Sequence, residues 1–141
     1  MTILIPDDLD YYINSLTSTY PQIREIWLFG SRTNPPYKEN SDWDFLVFAD
    51  SEVLAKLQHR IDIQQDDIDL LIVYDGNHFK SPWPRPGKTK KAGTLFPSSE
   101  SCRNFNWHLR SKTEASYLGT KSTGNGGWDI VDRKAYRIYP K

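Results

Sequence analysis

Residues 23–48 read Ile23-Arg24-Glu25-Ile26-Trp27-Leu28-Phe29-Gly30-Ser31-Arg32-Thr33-Asn34-Pro35-Pro36-Tyr37-Lys38-Glu39-Asn40-Ser41-Asp42-Trp43-Asp44-Phe45-Leu46-Val47-Phe48. Five of the first seven are β-branched, apolar or aromatic, and the run stops at Gly30, which predicts a strand. The stretch 33–40 is rich in turn formers and predicts an exposed loop. From Asp42 to Phe48 a second strand is expected, apolar on both faces after its first residues. The residues at the strand ends carry the chemistry. Gly30 lacks a Cβ, so a phosphate could approach its backbone; Ser31 adds a hydroxyl, and Arg32 a fork of donors suited to phosphate oxygens. Asp42 and Asp44 stand at i and i+2 of a strand, so they project to one face about 6.5 Å apart. Two carboxylates that close repel unless a cation lies between them. Hard oxygen ligands in that arrangement suit Mg²⁺.

Upstream, Pro6 followed by Asp7 and Asp8 is a good helix opening, with fixed φ and acids at the positive end of the dipole. Leu9, Tyr12, Ile13, Leu16 and Tyr20 recur at helical spacing, so residues 7–19 predict an amphipathic helix that stops before Pro21. Downstream, Ser51 is the expected cap of a short helix carrying Val53, Leu54 and Leu57. The third strand is Ile68 to Tyr74, ended by Asp75-Gly76-Asn77. Asp69 lies on it with Asp67 two residues earlier, so a third carboxylate could face the same site. The segment 81–87 carries three prolines in five residues and cannot be regular helix or central strand. Beyond it, 103–139 reads as two or three short antiparallel strands, with 119–127 as a flexible loop.

These residues together resemble the DNA-polymerase-β-like nucleotidyltransferase superfamily, and within it the minimal bacterial nucleotidyltransferases. The resemblance rests on Gly30-Ser31, the spacer Arg32 to Ser41, Asp42-Trp43-Asp44 opening an apolar strand, and Asp69-Leu70-Leu71-Ile72-Val73. It covers residues 7–75 in order of helix, strand and loop. It implies an α/β (α+β) fold, a nucleotidyltransferase core of mixed sheet flanked by helices over 1–79. The basic, strand-rich extension over 80–141, expected to pack on that core as one domain, departs from the helical C-terminal part or helical partner common in the family. The resemblance also implies transfer of a nucleoside monophosphate, with AMP from ATP expected, to a hydroxyl on a protein, RNA or small alcohol. Asp42, Asp44 and Asp69 would be catalytic and would hold two Mg²⁺ ions, with Mn²⁺ an acceptable substitute. Gly30 and Ser31 would seat the β- and γ-phosphates, and Arg32 would meet the charge of the leaving pyrophosphate. Asp67 is second choice for the third acid. Trp43, where the family usually carries an aliphatic residue, points to the opposite face and should alter only packing behind the site. The alternative is a catalytically inactive nucleotide- or RNA-binding module on the same fold.

Composition frames this reading. The chain has 141 residues, enough for one domain with a core of its own, and its 18 basic and 18 acidic residues balance. The balance hides an asymmetry: 14 acids face 5 bases in residues 1–79, and 4 acids face 13 bases in 80–141. Such polarity points toward an anionic partner, or toward two halves that neutralise each other. Lys80, Arg85, Lys88, Lys90 and Lys91 surround Trp83, an arrangement that could track phosphates and stack a base. Trp107, Trp128 and Tyr136 fit alternating strand patterns and are expected in the core. The lone Cys102 excludes an internal disulfide, and the three histidines lack zinc-ligand spacing. No signal segment or apolar span is present, so a cytoplasmic protein without a membrane anchor is expected.

Overall fold

The computed structural model describes residues 5–35, 37, 39–84, 92–95 and 105–141. Arg85, Lys88, Lys90, Lys91 and Cys102, singled out above, lie outside the described residues. Helix α1 spans Asp7–Thr19, as its periodicity predicts, with Asp7, Asp8 and Asp10 in its first turn. It buries Leu9, Ile13, Leu16 and Thr17, and the Thr17 hydroxyl is satisfied by donating to the Ile13 carbonyl at 3.0 Å. Strand β1 is Glu25–Phe29 and β2 is Trp43–Phe48, separated by a 3-10 turn over Gly30–Thr33. Helix α2 covers Ser51–Gln58; its cap is Asp50 rather than Ser51, the Asp50 carboxylate accepting the Val53 N–H at 3.0 Å. Then follow β3 (Ile68–Tyr74), β4 (His78–Lys80), β5 (Ala92–Thr94), β6 (His108–Leu109), β7 (Glu114–Ser122) and β8 (Trp128–Tyr139).

Among the described residues, the eight strands form one mixed sheet in the order β5-β4-β3-β2-β1-β8-β7-β6. Only β2 and β3 run parallel; the other neighbours are antiparallel. The basic C-terminal part therefore enters the same sheet, with β8 paired along β1 through Leu28 and Tyr136. Strands β7 and β8 are longer than the sequence pattern suggests, and Gly119–Ser122, expected as loop, continues β7. Gly119 obscures that strand in the sequence because glycine is a weak strand former.

Both faces of the sheet are covered, which is why β1, β2 and β3 are apolar apart from Glu25, Asp44 and Asp69 near their ends. Ile26, Leu28, Phe45, Val47, Leu70 and Ile72 face α1 and α2. Trp27, Phe29, Leu46, Leu71 and Val73 face the other way, into an aromatic cluster with Phe79, Phe105, Trp107 and Tyr117. That cluster is enclosed because the sheet curls around it. The Phe105 and Trp107 amides donate to the Thr94 and Leu95 carbonyls at 3.1 and 2.6 Å, while the Phe105 carbonyl accepts from Leu118 at 2.7 Å. Residues 105–107 thus join the β5 edge to the β7 edge. Inside, Trp27 meets Trp107 edge-on at 5.2 Å and Phe105 stacks on Tyr117 at 5.3 Å.

Two aromatic expectations change. Trp83 is buried at 4% exposure among the helix-side residues, and its indole N–H donates to the Leu57 carbonyl at 2.6 Å. It cannot stack a base there. Trp107 and Tyr136 are buried, but Trp128 is 68% exposed. Trp128 pairs with Ser122 at the far end of the β7–β8 hairpin, beyond the reach of either core. Among the described residues no helix is long and apolar enough to cross a membrane.

Candidate active site

The parallel register of β2 and β3 sets Asp44 directly opposite Asp69. Side chains alternate along a strand, so both carboxylates share the face of Leu46 and Leu71, at the margin of the aromatic cluster. Asp69 is buried at 7% exposure; Asp44 and Asp42 are half-buried. Asp42 precedes β2 by one residue, and the Trp43 N–H extends the pairing to the Asp67 carbonyl at 2.8 Å. Asp67 itself is exposed in the turn before β3. On the other side of β2, Phe29 pairs with Asp44, so the chain leaves β1 and enters the Gly-Ser turn beside that carboxylate.

Gly30 is required here for two reasons. Its φ is +82°, and a Cβ added to it would lie 2.2 Å from the Asp44 Oδ2. The space left by its missing side chain is filled by the acid. Its N–H donates to the Tyr117 hydroxyl at 2.8 Å, and its carbonyl accepts from Thr33 Oγ1 at 3.0 Å and Asn34 Nδ2 at 2.8 Å. Asn34 then behaves as a short strand partner for β8: its Oδ1 accepts the Lys134 N–H at 2.8 Å and its Nδ2 donates to the Lys134 carbonyl at 3.1 Å. The Gly-Ser turn is thereby tied to the C-terminal strand pair. Burial pushes the Tyr117 phenol up to about 12, the Gly30 N–H and Arg133 acting against that shift.

Arg32 turns away from this arrangement. Its guanidinium donates to the Glu39 carbonyl at 2.8 Å and the Ser41 carbonyl at 2.7 Å, and lies over the rings of Trp43 (4.3 Å) and Tyr37 (5.0 Å). It clamps the loop that delivers Asp42. Trp43, on the opposite strand face from the acids, thus serves as a platform for Arg32 as well as packing on the helix-side core. Ser31 and Gly30 line an open pocket of about 550 Å³ whose other walls are Phe29, Phe105, Tyr117 and residues 118–120, 130 and 133. Tyr117, Asn34 and Arg133 were not singled out for this site by sequence reasoning. Nothing in the sequence tied them to it: Gly119, which makes room for Arg133, falls in the stretch expected as loop.

Two carboxylates in register on adjacent strands, with a third two residues along, are a donor set of the hard oxygens that a divalent cation takes. Among the described residues no three His, Cys, Asp or Glu side chains converge as a metal cluster, and Asp44 packs against Gly30. The donors fit a cation in kind and in their shared strand face.

Residues 12–66 match the family described as Polymerase beta, Nucleotidyltransferase. That segment, which carries most of α1, the Gly-Ser turn, Asp42, Asp44 and α2, is similar to the DNA-polymerase-β-like nucleotidyltransferases. Asp69 and strands β3–β8 lie beyond the matched span. No curated protein and no solved structure matches the chain.

Proposed function

We propose that the protein transfers a nucleoside monophosphate, AMP from ATP, to a hydroxyl acceptor with release of pyrophosphate. The observation that supports this reading is the pairing of Asp44 with Asp69 in register, with Asp44 packed against Gly30, a residue that lines the neighbouring pocket. Asp42, Asp44 and Asp69 would hold Mg²⁺, or Mn²⁺ in its place. The bound cations would neutralise phosphate charge and polarise the phosphorus under attack. The chain's own residues do the rest. The Gly30-Ser31 turn, fixed by Tyr117 and Asn34, borders the pocket that would take the triphosphate. Arg32 fixes residues 39–41 and so the approach of Asp42; a positioning role suits it better than direct phosphate contact. Asp69 accepts the proton of the acceptor hydroxyl as its oxygen forms a bond to the α-phosphorus. The α–β bridging P–O bond breaks, and its electron pair leaves with pyrophosphate.

Incubation with each α-labelled nucleoside triphosphate, Mg²⁺ and a cell lysate tests the reading. Label transferred to protein, RNA or a small-molecule fraction, and lost on Asp44→Ala or Asp69→Asn, is the expected result. Activity that survives removal of Asp42 and Asp44 together would refute it. Nucleotide binding with no transfer to any fraction would leave the inactive binding module as the answer.

A further inference from the structure

One wall of the pocket beside the Gly-Ser turn comes from outside the segment that matches the family. Arg133 stands opposite Tyr117 in the β7–β8 pair and shares the strand face of Ala135, so it points to the side of the sheet that carries Asp44 and Asp69. Gly119 makes room for it. A Cβ at position 119 would lie 2.4 Å from Arg133 Cδ and 2.6 Å from its Nε, so the stem lies flat across β7. One end of the fork is fixed, Nη2 donating to the Thr120 carbonyl at 2.8 Å. The Tyr117 hydroxyl, close enough to Arg133 to feel its charge, accepts the Gly30 N–H. The adjoining Lys134 backbone is bound by Asn34 of the same turn. Arg133 is therefore held in fixed relation to Gly30 and Ser31 and lines the pocket with them. Arg32, by contrast, has its guanidinium committed to the 39–41 loop.

We propose that Arg133 binds the terminal phosphates of the nucleotide, so that the cation for the triphosphate comes from the C-terminal strand pair. A planar fork partly fixed by a carbonyl and facing a pocket suits tetrahedral phosphate oxygens better than a flexible ammonium would. The inference rests on the nucleotidyltransferase reading above.

Calorimetric titration in Mg²⁺ buffer tests it, with inorganic tripolyphosphate as a probe independent of base preference, and each of the four nucleoside triphosphates and monophosphates beside it. Arg133→Gln should weaken tripolyphosphate and triphosphate binding about 10- to 100-fold and change monophosphate affinity little. Arg133→Lys should fall between. Gly119→Ala displaces the fork while keeping its charge, and should reproduce the triphosphate-selective loss. Wild-type affinity for tripolyphosphate in both Arg133→Gln and Gly119→Ala would overturn the assignment while leaving the proposed function intact. An equal loss of mono- and triphosphate binding would reduce Arg133 to a structural part and also overturn it. If the wild-type protein binds none of these probes, the nucleotidyltransferase reading falls, and this inference with it.

Discussion

Replacing Gly30 by alanine separates two effects that the site combines, because a second glycine shows only one of them. Gly76 has φ +86° and nothing within 4 Å of an added Cβ, so Gly76→Ala carries only the conformational cost. For an L-residue in the left-handed region that is about 1–2 kcal/mol. Gly30, at φ +82°, bears the same cost, and its new methyl would sit 2.2 Å from Asp44 Oδ2, deep inside ordinary contact distance. Overpacking of this kind adds about 1–3 kcal/mol. Gly30→Ala should therefore be less stable than Gly76→Ala by about 1–3 kcal/mol, with a Tm lower by about 3–10 °C. Urea denaturation of the two variants side by side reads the difference. However the clash resolves, Asp44 must move, so transfer activity should drop about 100-fold in Gly30→Ala and hold in Gly76→Ala. Adding Asp44→Ala to Gly30→Ala removes most of the clash, so the double-mutant cycle should show a favourable coupling of about 1–3 kcal/mol. Equal stability loss at positions 30 and 76, with no coupling to Asp44, would refute the placement of the carboxylate against the turn.

Asn34→Ala removes the contacts to Gly30 and Lys134 and should cost about 1–3 kcal/mol in urea, with transfer activity falling along with it. Tyr117 has its phenol raised from 10.0 to about 12, so the folded protein keeps a proton that the unfolded chain releases between those values. Its contribution is complete below pH 10 and declines as pH rises from 10 toward about 12. Tyr117→Phe should flatten that part of the stability profile by up to about 3 kcal/mol, leaving the parallel decline from Tyr12, raised in the same direction. Trp128→Ala, at a 68% exposed position, should change stability by less than about 0.5 kcal/mol. It should also remove much of the acrylamide-quenchable tryptophan fluorescence, since Trp27, Trp83 and Trp107 are buried.

The sequence was most legible where local chemistry and burial agree. Helix α1 follows from Pro6, the three early acids and an apolar stripe, and β3 from an unbroken apolar run between turn residues. Gly30 could be recognised as special, but periodicity cannot say that the occupant of its empty side is Asp44, fourteen residues further on in the next strand. Trp83 was obscured by prolines that erase any pattern, while its burial depends on Leu57 of α2. Trp128 alternates like a core residue, yet its strand runs past the core that alternation would serve. That Asp44 and Asp69 come together was readable because each opens an apolar strand at a matching position. Arg133 and Tyr117 were not, because they reach the Gly-Ser turn only through pairing across about a hundred residues of chain.

The position of β1 in the sheet has a temporal consequence. Its neighbours are β2, fifteen or so residues later in the chain, and β8, about a hundred residues later. During synthesis the first three strands can assemble on α1 and α2 while one edge of β1 still waits for its partner. Until residues 134–139 emerge, that edge is a template for any other extended chain, and the Gly-Ser turn lacks its anchor in β8. A pairing of such long sequence separation also slows folding, because loop closure must precede the contacts that reward it. The acids of the candidate site are thus made early, and their scaffold is completed only once β8 has emerged.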